Sequence, residues 1–161
     1  MQLSTPVVAA ALAATAISLA AAVPARAGGP YQYFAVTPCR VIDSRTTNAT
    51  EGTTSTPIPR GRNAYRVQGQ CGIPNGAAAA TLNFTVINPT EQGYLLVYPT
   101  NVSEPTVSTL DFLSGDPGLA NGAIVPLAPV SASTDKDLYI WISMVAAGTS
   151  DIAVDVTGYF Q

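Results

Sequence analysis

The sequence predicts an all-β fold, an antiparallel β-sandwich or jelly roll of about eight or nine short strands. Three observations carry that expectation. Beyond the first 27 residues no stretch shows the apolar period of an amphipathic helix. Apolar residues recur instead at every second position, as a strand with one buried face requires. The runs are short and punctuated by Gly, Pro and Asn, a spacing that favours two packed sheets over one open sheet.

The N-terminal segment stands apart from this pattern. Residues 7–23 form a nearly unbroken, alanine-rich apolar run, and Ala25-Arg26-Ala27 follows as a small-residue cleavage pattern. Residues 1–6 hold no Lys or Arg, so only the terminal amine supplies the usual positive charge. The run is short for a spanning helix and ends at Pro24, which argues against a retained anchor. The expectation is a signal peptide over 1–27, a mature N-terminus at Gly28, and a secreted or cell-surface protein without stable membrane insertion. Removing 27 of 161 residues leaves 134, the size of one domain over 28–161.

Within that domain, 31–37 and 39–44 read as two short strands interrupted by Pro38, and 64–67 as a third. Residues 46–59 are rich in Thr with Asn, Gly and Pro, which predicts a long exposed loop. The clearest strand is 80–87: Ala80, Leu82, Phe84 and Val86 share one face, and Thr81, Asn83 and Thr85 the other. The turn over 88–93 has the composition of a hairpin connection, so 94–98 is expected to pair with 80–87, ending at Pro99. Further strands are expected over 108–113, 123–127, 138–145 and 152–160. A membrane barrel fits poorly, because spanning strands need about 9–11 residues and most of these are shorter.

Two cysteines, Cys39 and Cys71, would enter an oxidising compartment on export, and one disulfide is the simplest outcome. Loss of Arg26 with the leader leaves ten acidic and six basic residues, a net charge of −4, which disfavours nucleic acid as a partner. The chain has no histidine, so His-activated nucleophiles and His-based metal sites are excluded. No glycine loop of the phosphate-cradling kind is present. No cofactor is expected.

Several blocks resemble a family of secreted bacterial β-modules that occur alone, repeated, or joined to other domains. They are Thr37-Pro38-Cys39-Arg40-Val41-Ile42-Asp43-Ser44-Arg45, Cys71-Gly72-Ile73-Pro74, Leu82-Asn83-Phe84-Thr85-Val86 and Asp155-Val156-Thr157-Gly158-Tyr159-Phe160. Between the last two, Ser108-Thr109-Leu110-Asp111-Phe112 and 121–127 continue the resemblance. Ser44 stands where the commonest form of the first block has Thr, a change that keeps the hydroxyl. The resemblance implies export and a β fold, and it supplies no catalytic or ligand residue.

The candidate sites are therefore few. Tyr94 and Tyr98 share one face of their strand, and Tyr139 and Trp141 one face of theirs; planar rings in a row can stack on sugar rings. The competing reading is core packing, since the strand over 138–145 is apolar on both faces. Asp43 and Arg45 form a charge pair beside Cys39, read as structural, with the arginines bonding carbonyls of the long loop and Asp43 accepting backbone amides. Asp135 and Asp137 are a weak calcium candidate, without the EF-hand pattern. A glycoside hydrolase built from two of Asp43, Asp111, Asp155, Glu91 and Glu104 is a distant alternative. Two functions follow as expectations: a noncatalytic module binding an extracellular glycan or protein, and a structural subunit assembling with copies of itself. A concave aromatic patch would favour the first, long Ala- and Thr-rich strands at an exposed edge the second.

Overall fold

The structure is a computed structural model describing residues 29–46 and 57–161. The expected leader, its cleavage site and most of the expected loop over 46–59 lie outside the described residues. In chain order the strands are β1 (Tyr33–Asp43), β2 (Ile58–Pro59), β3 (Gly61–Tyr65), β4 (Ala79–Ile87), β5 (Gly93–Pro99), β6 (Leu110–Phe112), β7 (Leu119–Pro126), β8 (Leu138–Met144) and β9 (Thr149–Phe160). There is no helix among the described residues. All pairings are antiparallel. The strands make two sheets, a larger one ordered β1-β9-β4-β7 with β2 added to β9, and a smaller one ordered β3-β8-β5-β6.

The core lies between the sheets, as period-two patterning requires. Along β4, Ala80, Leu82, Phe84 and Val86 are buried while Thr81, Asn83 and Thr85 are half-buried on the other side. From β8 the smaller sheet sends in Leu138, Ile140, Ile142 and Met144, and from β5 Leu95 and Val97. Each such side chain contributes about 1.5–3 kcal/mol by leaving water.

Four local expectations are corrected. The segments flanking Pro38 are one strand, β1, whose ladder to β9 breaks between Ala35 and Cys39 and again between Arg40 and Ile42. Pro38 is tolerated because β1 is an edge strand and the breaks absorb its missing N–H. The strand expected over 64–67 ends at Tyr65, because the Asp137 carboxylate takes the amides of Val67 and Gln68 at 2.9 and 2.7 Å. β7 begins earlier than expected, at Leu119; its exposed Ala120, Asn121 and Gly122 give no burial signal in the sequence.

The largest correction is the hairpin. β4 and β5 do not pair: β4 lies between β9 and β7, and β5 between β8 and β6. Both hydrogen-bonding edges of β4 are taken, so the chain must change sheets. Asn88, in the left-handed region at φ 47°, turns it out, and the connection is pinned by Asn88 N–H on the Asp116 carbonyl (2.9 Å) and Thr90 N–H on the Thr149 carbonyl (2.9 Å).

Candidate functional site

The outer face of the smaller sheet gathers all four aromatic candidates. Opposed residues on antiparallel strands share a face. The register sets Arg62 beside Trp141 and Trp141 beside Leu96; Ala64 beside Tyr139 and Tyr139 beside Tyr98; and Tyr94 between Ser143 and Asp111. None of the four lies on the face that meets the other sheet. They are unequal, however: Tyr94 is 36% exposed, Tyr139 and Trp141 are half-buried, and Tyr98 is only 2% exposed. Tyr98 is therefore corrected from a contact residue to part of the support.

That support is tightly built. The Tyr98 and Tyr139 rings lie 5.4 Å apart and tilted by 51°, and the Arg62 guanidinium sits 4.7 Å from the centre of the Tyr139 ring. Burial leaves the Tyr98 hydroxyl without a hydrogen bond of ordinary geometry. The nearby Arg62 nevertheless interacts with that oxygen, which is the first cause holding its pKa above the usual guanidinium value, with Glu104 adding to it.

Beside this platform is an open groove of about 570 Å³ lined by Tyr94, Leu96 and the segment Glu104, Pro105, Thr106, Val107 and Ser108. The segment is held at both ends. Thr100 Oγ1 donates to the Lys136 carbonyl at 2.6 Å, Thr109 N–H donates to the Leu95 carbonyl at 2.8 Å, and Thr109 Oγ1 accepts from Val97 N–H at 3.2 Å. The groove therefore has a sheet wall of Tyr94 and Leu96 and a mixed wall on an anchored loop, polar at Glu104, Thr106 and Ser108 and apolar at Pro105 and Val107.

The outer face of the larger sheet is of another kind. Arg40 grips Asp155 across the β1–β9 ladder with two bonds of 2.8 and 2.9 Å and reaches Asp43 at 3.2 Å. Arg45 grips Asp43 with bonds of 3.0 and 2.8 Å, and its own N–H donates to the same carboxylate at 3.0 Å. Among the described residues both guanidinium groups thus go to carboxylates, where loop carbonyls were expected. Arg45 first, then Arg40, hold the Asp43 pKa down at about 2. Ser44 closes the network, donating to Asp151 at 2.7 Å while accepting from Ile152 N–H at 2.9 Å. The Cys39–Cys71 disulfide is present, with Cα atoms 5.7 Å apart, and ties β1 to the turn after β3.

Asp135 and Asp137 do not converge on a cation. Asp135 accepts from the amides of Ser131 and Ala132, which lower its pKa, and Asp137 is buried, its pKa raised by desolvation against the pull of the Gln68 and Val67 amides. No cluster of three or more potential metal ligands occurs among the described residues.

Two groups escaped the sequence reading. Buried Arg66 donates to the carbonyls of Gln68, Ala132 and Asp135 and to Asn75, and with Gln68 and Asp137 clamps the loop before β8 to the turn after β3. An arginine amid a strand-like run was its only local signal. At the far end of the larger sheet, Phe34 stacks on Tyr159 at 5.1 Å and Tyr33 meets Phe160 at 5.2 Å. Paired aromatics at both chain ends could have suggested that contact.

No family model, no curated protein and no solved structure matches the chain.

Proposed function

We propose that this is a secreted, noncatalytic β-sandwich module that binds an extracellular glycan on the outer face of its smaller sheet. The observation that carries this reading is the exposed Tyr94 ring at a groove whose opposite wall offers Glu104, Thr106 and Ser108. A pyranose ring needs an apolar surface for its C–H face and acceptors and donors for its hydroxyls; the Tyr94 ring supplies the first, and Glu104, Thr106 and Ser108 the second. The groove volume falls in the range of small-ligand sites, about 300–1,000 Å³. A protein partner is the other class such a surface admits; an open cleft beside one exposed ring favours a sugar.

The noncatalytic part rests on chemistry. The chain has no histidine, and both cysteines are joined in the disulfide. Asp43, at about 2, is displaced in the wrong direction for a general acid, and Asp155 shares its arginine. Glu104 lines the groove and Asp111 lies opposite Tyr94 on β6, and both are exposed side chains.

The test is retention of the exported protein on immobilised β-1,4-linked oligosaccharides of glucose, N-acetylglucosamine and xylose, with products monitored. Retention without turnover is expected, weakened at least about tenfold in Tyr94→Ala, a loss of about 1.4 kcal/mol. Cleavage abolished by Glu104→Gln or Asp111→Asn would overturn the noncatalytic reading, and Tyr94→Ala binding like the parent would overturn the site.

A further inference from the structure

The four sheet edges are not protected alike. β1 carries two register breaks, Pro38, the disulfide and the Arg40 ion pairs. β6 is three residues long, and β3 is five residues with Arg62 inside it and Arg60 just before. These are the usual devices by which an edge avoids pairing with another chain. β7 has none of them. It pairs with β4 from Leu119↔Val86 to Pro126↔Ala79 without a break, carries no charge, and holds its only proline at the last position. Among the described residues its other edge has no strand beside it. Ile124 is 63% exposed and Leu119 37%.

We propose that β7 is a strand-addition edge on which a second copy of this chain pairs antiparallel, about a two-fold axis through Gly122. The sequence of β7 favours itself as the occupant. In such a pair the opposed residues must share a face, and the register with Gly122 opposite itself meets that condition along the whole strand. It sets Ile124 against Ala120 on the outer face, large against small, and Leu119 against Val125 on the inner face, both apolar. No charge opposes another, and an uncharged edge offers nothing to recognise a charged peptide. A Cβ at Gly122 meets no atom within 4 Å in the single chain, so this position accepts a side chain without disturbing the fold.

The geometry has a functional consequence. A two-fold axis normal to the sheet leaves both smaller sheets on the same side, so the two grooves face the same way and a repeating polymer is bound bivalently. That consequence rests on the glycan reading; the pairing does not, and sizing without ligand distinguishes them.

The experiment is analytical ultracentrifugation of the exported protein over a wide concentration range, without ligand. A reversible dimer is expected, and Ile124→Lys, at an exposed position, should weaken it at least about tenfold while leaving the melting temperature unchanged at concentrations where both proteins are monomeric. Opposed residues stand about 4.5–5.5 Å apart between Cα atoms, within disulfide reach, so Gly122→Cys should give a covalent dimer under oxidation and Ile124→Cys should not. A monomer at every concentration, a dimer indifferent to Ile124→Lys, or crosslinking through Ile124→Cys in place of Gly122→Cys would overturn the proposal.

Discussion

The two outer faces of the sandwich solve the same problem in opposite ways. Each covers a sheet whose inner side is core. On the larger sheet the β1–β9 side carries a charge network, in which Arg40, Asp43, Arg45 and Asp155 pair with one another and Ser44 links the neighbouring Asp151 to the backbone. On the smaller sheet the Tyr94 ring stands open at a groove whose far wall is the 104–108 segment. Charged clusters attract functional interpretation more readily than tyrosines do. Here the charged cluster has spent its donors and acceptors internally, and the aromatic face has not.

The largest expected effect tests whether both faces lie outside the core. Phe84→Ala, on the inward side of β4, should cost about 3–5 kcal/mol in chemical denaturation, and Thr85→Ala, one residue on and outward, less than about 1 kcal/mol. Similar costs would mean that the faces are misassigned.

Next in size is the charged face. Arg40→Ala leaves the nearly buried Asp43 with one arginine and Asp155 with none, and should destabilise by about 1–2 kcal/mol, the arginine itself being 42% exposed. If it costs nothing, the network is an ordinary surface ion pair and the contrast between the faces weakens.

The same network fixes an acid dependence. A carboxylate depressed in the fold contributes stability that is present above its unfolded pKa and lost as pH falls through its folded value. For Asp43 the window runs from 3.8 down to about 2, and the contribution is about 1–2 kcal/mol once discounted for half-exposed arginines. Asp137, raised by burial, works in the opposite direction, so the measurement is the difference between the parent and Asp43→Asn across that window. Parallel pH profiles would contradict the pairing. Smallest in stability is Tyr94→Ala, expected within about 0.5 kcal/mol of the parent, so that any loss of binding there is a loss of contact.

The fold class was legible because period-two burial is written residue by residue, as 80–87 shows. The partner of each strand was not. The turn at Asn88 has hairpin composition, and nothing local reports that both edges of β4 are claimed by β7 and β9, strands that begin more than 30 residues later. The site was half legible for a similar reason. Parity put Tyr94 with Tyr98 and Tyr139 with Trp141, but β8 is apolar on both sides, so parity alone does not say which side meets the other sheet. Nor does it show that Tyr98 is buried and Tyr94 is not, which depends on tertiary packing.

The contrast between the faces is tested most directly by a chemical-shift titration of the exported, isotope-labelled protein with the soluble oligosaccharides named above. The expected result is saturable shifts confined to Tyr94, Leu96, the 104–108 segment and the Trp141 indole, with the sugars intact afterwards. Shifts centred on Arg40, Asp43 and Asp155, or none with any sugar, would contradict it.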